Sequence, residues 1–88
     1  MITTISTKTG ISEEMILGKT RIYVVVTVRQ LYYKLLREKM GYPFARIGEL
    51  CNRDHSTIVN GLKHVNDLLE VGDGYAVSMW DKMKGIES

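Results

Sequence analysis

Between Val24 and Met40 the apolar positions fall at helical spacing. Val28, Leu31, Tyr32, Leu35 and Leu36 recur at steps of three and four, which puts them on one face of a helix. Arg29, Lys34, Arg37 and Lys39 lie largely off that stripe and are expected to face water. The opening Val24-Val25-Val26-Thr27-Val28 would also suit a strand. The helical period continues for three more turns, however, and no second strand is available to pair with it. The pattern therefore predicts one long helix. A second stripe of Ile58, Leu62, Val65 and Leu69 predicts another, from His55 to about Val71.

Shorter elements fill the rest. Ile2 and Ile5 precede Gly10 and predict a brief helix that stops there, weak in isolation because it is rich in threonine. Ser12 followed by Glu13 and Glu14 is an N-cap with carboxylates in the first turn. Met15, Ile16 and Leu17 give that helix its apolar face, and Gly18 ends it. Residues 19–23 form a basic connector. Gly41-Tyr42-Pro43 breaks the long helix. A short helix from Phe44 to Cys51 follows, with Phe44, Ile47 and either Leu50 or Cys51 facing inward. Asn52 and Arg53 make a tight turn, and Asp54 caps the helix beyond it. Gly72-Asp73-Gly74 stops that helix. A last one, about Tyr75 to Lys84, offers Met79, Trp80 and Met83 to the core or to a protein partner. The whole is an all-α bundle of about six helices without repeats or low-complexity tracts.

At 88 residues the expectation is a single domain, 1–88, with one modest core and no room for a catalytic domain. Cys51 is the only cysteine, which leaves no internal disulfide and no multi-cysteine zinc site. His55 and His64 are too far apart on one helix to pair as ligands, so no metal or other cofactor is expected. Cys51 with His55 or His64 is the only nucleophile–base candidate, and Cys51 occupies a core position; the chain is not expected to be an enzyme. No run approaches the roughly 20 apolar residues of a membrane span, and the N-terminus lacks the pattern of a signal peptide. A reducing cytoplasm is the expected compartment.

The net charge is only +2, but its distribution is uneven. Residues 19–64 carry nine Lys/Arg against three Asp/Glu, a surplus of +6; residues 1–18 contribute −1 and residues 65–88 contribute −3. Positive charge gathered mid-chain suits a polyanion, and a solvated helical surface would produce it equally well.

The stretch from Phe44 to Leu62 has the plan of a helix-turn-helix: short helix, tight turn, second helix opening on polar residues. In that plan the first residues of the second helix reach base edges in the major groove. Here they are Asp54, His55, Ser56 and Thr57, after Arg53. All can hydrogen-bond, and the Thr57 methyl suits a thymine methyl. A capping segment alone would look similar.

Arg53-Asp54-His55-Ser56-Thr57-Ile58 resembles the signature of the C-terminal DNA-binding domain of the bacterial replication initiator DnaA, Arg-Asp-His-Thr-Thr-Val. Ile16-Leu17-Gly18-Lys19, Arg29-Gln30, Leu36-Arg37-Glu38 and Ile47-Gly48-Glu49 also resemble that family, in order and at nearly matching spacing. The similarity covers about residues 2–71, with an extra C-terminal helix at about 75–84. It implies a DnaA C-terminal, Trp-repressor-like fold that binds double-stranded DNA in the bacterial nucleoid. It further implies that Asp54, His55 and Ser56 face bases, with Thr57 beside them. Arg21 would enter the adjacent minor groove, where A·T-rich DNA is narrow and strongly negative. Lys19, Gln30, Arg37 and Arg53 would touch phosphates or orient the reading helix.

The chain also departs from the family. Cys51-Asn52 replaces the usual Phe-Gly-Gly and is one residue shorter, which is expected to alter the turn. Thr20, Ile22 and Tyr23 stand where the family often has Arg or Lys. No Gly-x-x-x-x-Gly-Lys-Ser/Thr loop occurs, so nucleotide binding is not expected. These features lead us to expect a stand-alone, sequence-selective DNA-binding protein, a transcriptional regulator or a replication accessory. The alternative is a protein-interaction module that kept the fold; the apolar Ile22-Tyr23-Val24-Val25 run favours it, as would an exposed Trp80.

Overall fold

The long apolar stripe forms a helix and becomes the axis of the fold. A computed structural model describes residues 1–86, in the order α1 (Ile2–Thr9), α2 (Glu13–Leu17), α3 (Tyr23–Glu38), α4 (Phe44–Cys51), α5 (His55–Glu70) and α6 (Gly74–Met83). The strand alternative for the valine run is not realised. Helix boundaries fall within a residue or two of the expected ones, and local caps explain them. The side chains of Ser12, Asp54 and Asp73 accept the backbone N–H of Met15, Thr57 and Ala76 respectively, each satisfying a donor the helix itself leaves free.

Helix α3 packs against α5, α6, α2, α4 and α1. Val28, Leu31 and Leu35 from α3 are fully buried with Ile5 of α1, Ile16 of α2, Ile47 of α4, Ile58 and Val65 of α5, and Met83 of α6. Ile86, past the end of α6, joins the same core. The final helix is thus part of the main body, with Ala76, Met79 and Met83 buried.

Arg29, Leu69 and Val25 differ from the sequence-based expectation, and the alternatives left open at Leu50 or Cys51 and at Trp80 are resolved. Arg29 does not face water: it is 8 % exposed, because α2 and the connector after it fold across the first turns of α3. Leu69 is only half-buried, and Leu50 is exposed while Cys51 takes the inward position. Trp80 is half-buried, with the Lys34 ammonium 5.2 Å from its ring centroid. Val25 is inside the core, so the apolar run at 22–25 presents only Ile22 and Tyr23 as exposed residues.

Candidate nucleic-acid interface

Helices α4 and α5 are joined by the tight turn the sequence predicts. Asn52 closes α4 in the left-handed region, φ 53°, a conformation asparagine tolerates better than most side chains. The next N–H, from Arg53, donates to the carbonyl of Gly48 at 2.9 Å. That contact brings the turn hard against α4: a Cβ on Gly48 would stand 2.6 Å from the Arg53 carbonyl oxygen. The shortened Cys51-Asn52 segment therefore still makes a turn, with asparagine in the left-handed position.

The turn delivers Asp54 as the cap of α5. Its Oδ1 accepts the Thr57 N–H at 2.8 Å and the Ser56 hydroxyl at 3.2 Å. The bonds from Thr57, then Ser56, hold the Asp54 carboxyl below its ordinary value. His55, Ser56, Thr57 and Asn60 are exposed, whereas Ile58 is fully buried on the opposite side. The first turn of α5 is thus anchored from within and polar outside.

A groove runs alongside this turn, between α5, the start of α3 and the basic connector. One part, about 700 Å³, is lined by Arg21, Gln30, Arg53, Thr57, Asn60 and His64 among others. The adjoining part, about 520 Å³, adds Lys19, Asn52 and Asp54. Gly61 lets α5 lie close to α3 here, since a Cβ would come within 3.1 Å of the Tyr33 ring. Across the groove the Gln30 amide oxygen and His64 Nδ1 are 2.8 Å apart.

Two arginines hold the connector in place. Arg29 donates from Nε to the carbonyl of Ile16 at 2.7 Å, from Nη2 to Met15 at 2.9 Å and from Nη1 to Thr20 at 3.0 Å. It thereby satisfies carbonyls at the end of α2 and fixes the residue between Lys19 and Arg21. Burial lowers the guanidinium from its usual value, though arginine stays charged in proteins. Arg53 donates from Nη1 to the carbonyls of Cys51 and Asn52 and from Nη2 to that of Gly18. One side chain thus ties the turn before α5 to the start of the basic connector.

On the other flank of α5, Arg37 donates to the Tyr42 carbonyl at 3.0 Å. Its guanidinium lies 4.3 Å from the centroid of the Phe44 ring, and the His55 ring meets Phe44 edge-on at 5.5 Å.

The residues singled out from the sequence therefore surround the first half of α5. Lys19, Arg21, Arg53, Asp54 and Thr57 line one groove, Gln30 lies in its continuation, Ser56 sits on Asp54, and His55 and Arg37 share Phe44. Sequence reasoning gave Arg29, Asn60 and His64 no place at this site. Asn60 and His64 lie one and two turns beyond Thr57, a spacing that marks a shared helix face. Cys51 is buried, and burial pushes its thiol up to about 11, the behaviour of an inert core cysteine. Among the described residues no group of three or more His, Cys, Asp or Glu could hold a metal ion, and no helix is long and apolar enough to cross a membrane.

A short helix, a tight turn and a capped second helix with an exposed polar opening, set in a six-helix bundle, define a helix-turn-helix protein of the DNA-binding class. The chain belongs to the bacterial DnaA protein helix-turn-helix family, whose model matches residues 1–65; the fold is the all-α DnaA C-terminal, Trp-repressor-like bundle. It is 32% identical over 80 residues to chromosomal replication initiator protein DnaA 2 of Chlamydia caviae, covering 90% of this chain and 17% of that protein. With the DnaA 2 protein of Protochlamydia amoebophila it shares 38% identity over 73 residues, 83% of this chain and 16% of the relative. With the initiator DnaA of Mycoplasma capricolum the figures are 36% over 67 residues, 75% and 15%. The chain thus spans about a sixth of the length of the curated relatives it matches. No solved structure matches it significantly.

Proposed function

We propose that this chain is a sequence-selective binder of double-stranded DNA, acting in a bacterial nucleoid as a transcriptional regulator or an accessory of replication initiation. One observation carries the reading. The exposed polar first turn of α5 stands between a groove lined by Lys19, Arg21 and Arg53 and the Arg37 guanidinium on the other flank. Cations on both sides of a protruding helix suit the phosphates that border a major groove.

In this reading Asp54, His55 and Ser56 face base edges, and Thr57 offers a hydroxyl and a methyl. Arg21 enters the neighbouring minor groove. Lys19 and Arg37 neutralise phosphates. Internal hydrogen bonds favour an orienting role for Arg53, and the bond to His64 gives Gln30 a fixed direction. The relatives are named as chromosomal replication initiators; a unit that shares their DNA-reading part would mark a site, repress a promoter or compete with a full initiator.

The experiment is selection from a random duplex library followed by a salt titration of the enriched duplex. Each phosphate neutralised contributes about −0.9 to the slope of log K against log salt, so roughly three to five contacts give a slope of about −3 to −4.5. No enrichment together with a flat salt response would overturn the reading.

A further inference from the structure

We propose that Phe44 is a positioning residue for DNA reading: its ring sets the direction of the His55 imidazole and couples it to the Arg37 guanidinium. The proposal rests on the DNA-binding function proposed above.

His55 is the first residue of α5 and is exposed. A side chain in such a place has two free torsions and would have to surrender them on meeting a base edge, which weakens binding. Here the imidazole does have a neighbour. Its ring stands at 83° to the Phe44 ring with 5.5 Å between centroids, a T-shaped arrangement that aromatic rings favour. Phe44 is itself constrained. It follows Pro43 at the start of α4 and packs against the hydrophobic core. The Arg37 guanidinium lies over the same ring at 4.3 Å, close enough for a cation–π contact. Arg37 is held in turn by the Tyr42 carbonyl, one residue before Pro43. A backbone carbonyl, a cation, a phenyl ring and the imidazole thus form one continuous stack across the start of the two helices. Leucine would fill much of the volume of Phe44 and keep its apolar contact with the core, but would offer neither ring face nor ring edge.

The test uses the full chain, with Phe44→Leu, His55→Ala and the double variant measured on the enriched duplex and on random duplex. Phe44→Leu is expected to lose roughly three- to tenfold in affinity on the enriched duplex, about the value of one aromatic pair. It should lose clearly less on random DNA. In the His55→Ala background the same change should cost under about twofold, because the residue it acts through is gone. An undiminished loss in that background means that Phe44 acts through Arg37 alone or touches DNA itself, and overturns the proposal. A second readout needs no DNA: in the free protein the His55 ring protons should carry a ring-current shift that Phe44→Leu removes. Absence of that shift in the parent chain overturns the positioning role alone. Normal shifts without any duplex binding overturn the DNA reading, and this role with it.

Discussion

Gly48 and Arg53 approach so closely that a Cβ on the glycine would lie 2.6 Å from the arginine's carbonyl oxygen. The atom in the way belongs to the backbone of the turn, which is itself bonded back to Gly48 through the Arg53 N–H. Nothing flexible can yield there. Gly48→Ala gains about 1 kcal/mol of helix propensity, but forcing a methyl into a packed contact costs typically 1–3 kcal/mol, occasionally more. The expected outcome is a net loss of up to about 2 kcal/mol, seen as a melting temperature lower by up to roughly 16 °C in a domain of this size. Urea denaturation of the two proteins checks it; a raised midpoint would show that the turn is free to move.

Arg29 should be costly to replace for a different reason. Its three hydrogen bonds end on carbonyls of Met15, Ile16 and Thr20. Arg29→Met keeps the apolar stem and leaves the Ile16 and Thr20 carbonyls without this donor, while that of Met15 keeps the Gly18 N–H. Each buried unsatisfied group costs about 1–3 kcal/mol, partly offset because a charge no longer has to be desolvated. We expect a net destabilisation of about 2–3 kcal/mol by urea titration. Arg29→Lys should recover only a part of it, since an ammonium cannot span three carbonyls as a planar fork does. Amide exchange of residues 19–22 should speed up in both variants beyond the change in global stability.

These two positions show where sequence was informative and where it was not. Helix ends were legible because their causes are local: Ser12, Asp54 and the Gly41-Tyr42-Pro43 break act within a turn or two of themselves. The helix-turn-helix was legible for the same reason, and the resemblance of its residues to a known signature placed the candidate readers. Arg29 was misplaced because periodicity within α3 says nothing of α2 and the connector, which arrive from earlier in the chain and cover it. Arg53 reaches Gly18 across 35 positions, and the meeting of Phe44 with His55 depends on the angle between two helices. Leu69 fits its stripe by spacing, yet lies near the end of α5, where less of the body remains to cover it.

Tyr23 and Asp73 give the fold a pH window. The Tyr23 hydroxyl donates to Asp73 Oδ2 at 2.6 Å, and the same oxygen accepts the Ala76 N–H that begins α6. The bond from Tyr23, then that from Ala76, holds the Asp73 carboxyl below its ordinary value of 3.8. A carboxyl lowered in the folded state contributes stability that is complete above its unfolded pKa and lost as pH falls through the folded one. Asp54, lowered by its bonds from Thr57 and Ser56, has the same sign. Tyr23 is raised above 10.0, first by its bond to Asp73, so its contribution is complete below 10 and lost as pH rises. Stability should therefore fall as pH drops below about 4. Tyr23→Phe should make that acid limb shallower, and Asp73→Asn shallower still because the cap is then no longer titratable. Urea midpoints measured between pH 7 and pH 2.5 decide it; parallel acid limbs in all three proteins would mean that the pair does not hold in solution.

His55 and Arg21 should fail differently when each is changed to alanine. His55 opens α5, where its ring nitrogens are directional groups at the proposed base-reading edge. Losing one base contact costs about 1–3 kcal/mol on the preferred site and little on random DNA, so the ratio between the two should shrink. Arg21 lines the groove from the connector side and would sense groove width more than base identity. Its loss should weaken A·T-rich sites broadly and flatten the salt slope by about 0.9, the share of one phosphate-equivalent charge. Arg21→Ala should barely change stability, while His55→Ala gives up its ring contact with Phe44, worth about 0.5–1.5 kcal/mol, and melting curves provide that control. Two variants, two duplexes and several salt concentrations give the comparison. Equal loss on preferred and random DNA for His55→Ala would remove it from base reading, and an unchanged salt slope for Arg21→Ala would take that arginine off the nucleic acid.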